Sequence, residues 1–143
     1  MSLIFTGDLF LKNPIRLDIP FDILVTNFEY VLSDSLDIAV GKVNLKSAEN
    51  YLSNNVGNGK IYANLSNNHI GDFGISGMMD TISNLDESGI IHFGSDHSTD
   101  TECICMPYGG NTIGVLTVCC SSTHPAVLDA YGSSMISMLD RST

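Results

Sequence analysis

Apolar residues in this chain fall into short blocks separated by polar turns. Residues 2–6 (Ser-Leu-Ile-Phe-Thr) read as a buried strand ended by Gly7-Asp8. Residues 22–26 read as a second, ending at Asn27-Phe28-Glu29, residues 60–65 as a third and residues 90–93 as a fourth. Blocks of this length suit strands covered on both faces. Elsewhere the period changes. Ile75, Met78, Met79, Ile82 and Leu85 recur at helical spacing, which predicts a helix over 75–87 with these side chains on its core face. Gly89 stops it as a C′ residue, and Gly77 inside it costs up to ~1 kcal/mol relative to alanine. Ser47 can cap a shorter helix through residue 54, with Ala48, Tyr51 and Leu52 inward. Residues 31–44 fit either a loop or a ragged hairpin. Residues 101–107 and 112–119, joined by Tyr108-Gly-Gly-Asn111, predict an antiparallel hairpin. Pro125 opens a last predicted helix through residue 139, with Met135 and Met138 in its core face. Strands alternating with helices make this an α/β chain with helices packed on a mainly parallel sheet, and 143 residues make one domain.

Charge changes the picture of what the chain can bind. Only 15% of residues are charged, and 6 Lys+Arg against 16 Asp+Glu leave a net charge of −10. No nucleic acid and no anionic membrane is expected as a partner, since both need a basic face. Divalent cations, which need oxygen ligands, remain. No run approaches the ~18 apolar residues of a membrane span, and the first residues lack the basic and apolar segments of a signal peptide. A cytoplasmic location is the expectation, with peripheral membrane association compatible with it. Cys103, Cys105, Cys119 and Cys120 read as small apolar residues of the hairpin, not as disulfides or a zinc cluster.

The chemistry-bearing residues follow the strands. Asp8 follows the first, Asn27 and Glu29 the second, and Asn67, Asn68, His69 and Asp72 the third. Parallel strands bring their carboxyl ends to one edge, where ligands bind. Asp8, Glu29, Asn68 and His69 together offer oxygen and nitrogen donors to a hard or borderline divalent metal. Each segment alone is an ordinary polar turn; the joint pattern carries the reading. His92 and His97 flank a loop after the fourth strand, and His124 before Pro125 is a turn residue.

These segments resemble a known family. Thr6-Gly7-Asp8, Val25-Thr26-Asn27-Phe28-Glu29 and Leu65-Ser66-Asn67-Asn68-His69-Ile70-Gly71-Asp72-Phe73-Gly74 are similar to the bacterial capsule synthesis, poly-γ-glutamate (CapA-type) proteins. Gly77, Asp80-Thr81, Leu85, Gly89-Ile90 and Phe93-Gly94 continue the match. That family is related to the calcineurin-like metallophosphoesterases. The resemblance implies a layered α/β sandwich and a site for divalent metal (Mn, Zn or Fe), with Asp8, Asn27, Glu29 and Asn68 as its metal residues. It implies His69 as general acid or as donor to a phosphate-like oxygen. A small-molecule or polymer substrate, a capsule synthase or export complex as partner, and a homo-oligomer belong to the same expectation. Phe10 stands where the histidine of the superfamily's first motif, Asp-x-His, would be, and no His-x-His pair follows the Asn-Asn-His motif. The chain is therefore expected to be a truncated or minimal member with an incomplete second sheet. Two functions stay open: a metal-assisted hydrolase or transferase, or a non-catalytic assembly protein with a relic site.

Overall fold

The computed structural model describes residues 1–96, 103–120, 132–133 and 135–136. Strands β1 (Leu3–Leu9), β2 (Ile23–Phe28), β5 (Lys60–Asn64) and β6 (Ile91–Phe93) form a four-stranded sheet in the order β1-β2-β5-β6. All three pairings are parallel. Between β2 and β5, the short strands β3 (Val31–Leu32) and β4 (Lys46–Ser47) pair with each other. Helix α1 (Gly74–Glu87) connects β5 to β6, and Gly89 ends it with φ +71°. Strands β8 (Cys103–Tyr108) and β9 (Asn111–Leu116) form the predicted hairpin. Gly109 and Gly110 both have positive φ, as a two-residue turn between twisted strands requires.

Alternation along β2 sorts the core into layers. Leu24 joins Ile61, Met78, Leu85 and Ile90 on the face under α1. Ile23 and Val25 join Tyr62, Phe93 and Met106 on the face under the hairpin. The sheet is thus covered on one side by a helix and on the other by two strands, an α/β layered fold. Among the described residues, no helix is long and apolar enough to cross a membrane.

Several expectations change. β1 is not buried: it is one of the two edge strands of this sheet, it continues past Gly7 to Leu9, and Phe5 is 58% exposed. Ser47 caps no helix. It pairs within β4, a 3₁₀ turn covers Tyr51–Asn55, and Ala48 is exposed. On α1, Met78 and Leu85 are buried, but Ile75 and Met79 face solvent. Gly77 and Thr81 fill their place because β3 lies close against the helix. Thr81 Oγ1 donates to the Gly77 carbonyl and accepts the Leu32 N–H, which ties helix to strand. Within the described residues the last predicted helix is replaced by strands: β11 (Gly132–Ser133) pairs with β7 (Ser95–Asp96), and β12 (Met135–Ile136) pairs with β10 (Cys119–Cys120). Cross-strand pairing there wins over the methionine spacing. His97, His124 and Met138 lie outside the described residues.

Gly77 shows why a poor helix former sits inside a helix. A Cβ at this position would come 2.6 Å from Phe73 Cβ and 3.1 Å from Val31 Cγ1. Gly77→Ala should therefore destabilise by about 1–3 kcal/mol through overpacking, despite the ~1 kcal/mol that alanine gains in helix propensity. Urea unfolding of the variant reads the sign directly.

Candidate functional site at the carboxyl edge of the sheet

The register of the sheet assembles the site. Asp8 pairs with Asn27, and Asn27 pairs with Asn64. The three residues thus stand in a row where the strands end. A bulge makes this possible. Between Phe5 and Asp8, β1 advances three residues while β2 advances two from Val25 to Asn27. The extra residue lies at Thr6-Gly7, where Gly7 has φ +71°. A bulge re-aims the side chains beyond it, and here it brings Asp8 to Asn27.

Asn27 is the hub. Its amide nitrogen donates to Asp8 Oδ1 at 2.7 Å and to Glu29 Oε2 in a very short contact. Its amide oxygen accepts from Asn64 Nδ2 at 3.0 Å and Asn67 Nδ2 at 3.4 Å. Two carboxylates of different strand ends therefore converge on one amide nitrogen. Burial raises the Glu29 pKa above its ordinary value, and the negative charge of Asp8 adds to the rise; His69, Asn27 and Lys42 act in the opposite sense.

The loop between β5 and α1 supplies the other side. Asn67 is buried and bonded throughout: Nδ2 donates to the Phe28 carbonyl at 2.9 Å, and Oδ1 accepts the His69 and Ile70 N–H groups, each at 2.9 Å. Asn68, its neighbour, is half-buried, and its side-chain amide makes no hydrogen bond among the described residues. Its carbonyl instead receives Lys42 Nζ. His69 Nδ1 lies 2.7 Å from Asp72 Oδ2. Asp72 is fully buried and also takes Lys42 Nζ at 2.6 Å and the Leu45 N–H at 2.6 Å. His92 points elsewhere, 3.3 Å from Asp86.

Sequence reasoning missed Asn64, Lys42 and the bulge at Gly7. Asn64 was legible as a polar residue at the end of an apolar strand. Lys42 was legible as a lone base in a segment with no assigned element. An apolar cleft of about 250 Å³ adjoins the row, walled by Phe5, Val25, Phe93 and Val115. Further clefts around Arg16 and Asn58 lie at the opposite, amino end of the sheet.

Oxygen donors are the type a divalent cation takes, but only two carboxylates converge here. Asp8 and Glu29 supply carboxylates that meet at Asn27, whereas no contact joins the Asn68 side-chain amide to them among the described residues. Among the described residues, no three His, Cys, Asp or Glu side chains gather as a ready metal cluster. Amide ligands would have to complete the set. Asn27 turns its nitrogen, not its oxygen, toward the carboxylates, so it holds them in place as the structure stands.

Glu29 carries a pH signature. A carboxyl whose folded pKa is raised binds more protons folded than unfolded between its ordinary value of 4.5 and the raised value. Stability then falls as pH rises through that window. Glu29→Gln should flatten this slope and be the more stable chain at neutral pH. Urea midpoints measured from mildly acidic to neutral pH report both effects.

Fold and edge together define an α/β protein with carboxylate, amide and histidine side chains gathered at parallel strand ends. The family model described as bacterial capsule synthesis protein PGA_cap matches residues 6–136, and the chain belongs to that family. No curated protein matches it.

Proposed function

We propose that this capsule synthesis protein binds a divalent metal (Mn²⁺, Zn²⁺ or Fe²⁺) at Asp8, Glu29 and Asn68 and carries out metal-assisted hydrolysis or transfer on a small-molecule or polymer substrate. The convergence of Asp8 and Glu29 on the Asn27 amide carries this reading. Two carboxylates so close to one point repel each other, and a cation relieves that repulsion. A divalent ion bound there would polarise a phosphate or amide-like centre and lower the pKa of bound water. The protein's own part is distinct. Asn27 orients the two acids, Asn67 shapes the loop, and His69 lies beside them to exchange a proton with the reacting group. The apolar cleft next to Asn27 offers a wall for the carbon part of a substrate.

The sparse ligand set favours a second reading, a non-catalytic member that works by contact with a capsule synthase or export complex. The exposed edge of β1 suits strand addition, including by a second copy of this chain.

Metal content separates the two. Protein purified without chelator, loaded with Mn²⁺ or Zn²⁺ and desalted should hold about one ion per chain or more by plasma mass spectrometry. Asp8→Ala and Asn68→Ala should lose it. No metal above background in any of the three proteins would remove the catalytic reading.

A further inference from the structure

We propose that Asp72 is a positioning residue that locks His69 in its Nδ1–H tautomer, leaving Nε2 as the atom presented to the site. The argument begins with what Asp72 can do. Its carboxylate is fully buried, and one oxygen, Oδ1, meets the Lys42 ammonium at 2.6 Å. A carboxylate paired with an ammonium only accepts hydrogen bonds. The other oxygen, Oδ2, already accepts the Leu45 N–H at 2.6 Å and lies 2.7 Å from His69 Nδ1. Nδ1 must therefore carry the proton, and the neutral ring keeps its lone pair on Nε2.

The same contacts hold the ring in place. The loop is closed around it by the Asp72 N–H donating to the His69 carbonyl at 2.9 Å and by Asn67 Oδ1 accepting the His69 N–H. Lys42 reaches past Asp72 to the Asn68 carbonyl, so one lysine fastens the carboxylate and the residue before the histidine. Nε2 has no hydrogen-bond partner among the described residues. A histidine held through one nitrogen by a buried carboxylate is the usual arrangement where the other nitrogen serves a metal or a reacting group. The tautomer stands on these contacts alone; the direction of Nε2 toward a bound ion rests on the metal-site reading above.

Long-range ¹H–¹⁵N NMR of the full, metal-free chain in mildly alkaline buffer tests the tautomer, with the His69 signals identified by their loss in His69→Gln. The wild-type chain should show the Nδ1–H pattern. Asp72→Asn, whose amide can donate to Nδ1, should lose it. An Nε2–H pattern in the wild-type chain overturns the proposal whether or not the variant folds. An unchanged Nδ1–H pattern in folded Asp72→Asn overturns Asp72 as its cause. Adding Mn²⁺ at less than one equivalent should then broaden the His69 ring signals before those of His92. Broadening of His92 alone, in protein that retains Mn²⁺, overturns the presentation of Nε2 to the site. Protein that retains no Mn²⁺ but keeps the Nδ1–H pattern overturns the metal-site reading and upholds the tautomer.

Discussion

Asp72→Ala is expected to cost the folded protein about 3–5 kcal/mol, the range for breaking a buried ion pair from one side. Its side chain is fully buried, and three donors converge on it: Lys42 Nζ, His69 Nδ1 and the Leu45 N–H. Truncation leaves an ammonium only 13% exposed without its counter-charge and a backbone N–H without its acceptor. It also releases two segments far apart in sequence, the stretch around Lys42 to Leu45 and the loop from Asn67 to Phe73. Both border the site. The loss appears as a lower urea midpoint with an unchanged slope. Lys42→Met should be costly for the same reason, and the double variant should cost less than the sum of the two, because the groups share one interaction. Additive costs would show that the pair is not coupled.

Asn67→Ala and Asn68→Ala should separate by a wide margin although the residues are adjacent and chemically identical. Asn67 satisfies three backbone groups, the Phe28 carbonyl and the N–H groups of His69 and Ile70. Leaving such groups unpaired in a buried place costs roughly 1–3 kcal/mol each where water does not replace the partner, so Asn67→Ala should lose on the order of 3 kcal/mol. Asn68 makes its only hydrogen bond among the described residues through its carbonyl, which alanine keeps. Asn68→Ala should stay within about 0.5 kcal/mol of the wild-type chain while losing metal. Thermal unfolding and metal content on the same two preparations give a crossed result: one variant unstable, the other stable but empty. Equal stability would show that the Asn67 network is not what holds the loop.

Legibility along the chain followed the range of the interactions involved. The four sheet strands, α1, its Gly89 stop and the Tyr108–Asn111 turn rest on local signals, so they were readable. So was the convergence of Asp8, Asn27, Glu29 and the Asn67–His69 segment, because parallel strands leave their carboxyl ends together. Asp80-Thr81 and Leu85, which helped carry the family resemblance, prove to serve packing: Thr81 ties β3 to α1, Asp80 accepts from Ser33 Oγ, and Leu85 is buried. Met79 and Ile75 share a helical stripe with Met78 in sequence, yet the surface packed against α1 is too narrow to cover them. Periodicity shows which residues could be buried together, not how wide a partner surface exists.

The sequence by itself determined the α/β class, the mainly parallel character of the sheet and the family, because each depends on period, turn chemistry and motif read within a few residues. Only the tertiary structure decided which asparagine is bonded and which is free, that Asp8 reaches Asn27 through a bulge, and that Lys42 and Asp72 hold His69. Those outcomes depend on partners tens of residues away, such as Phe28 for Asn67 and Lys42 for Asp72. A polar side chain has no role until the fold supplies the atom it meets.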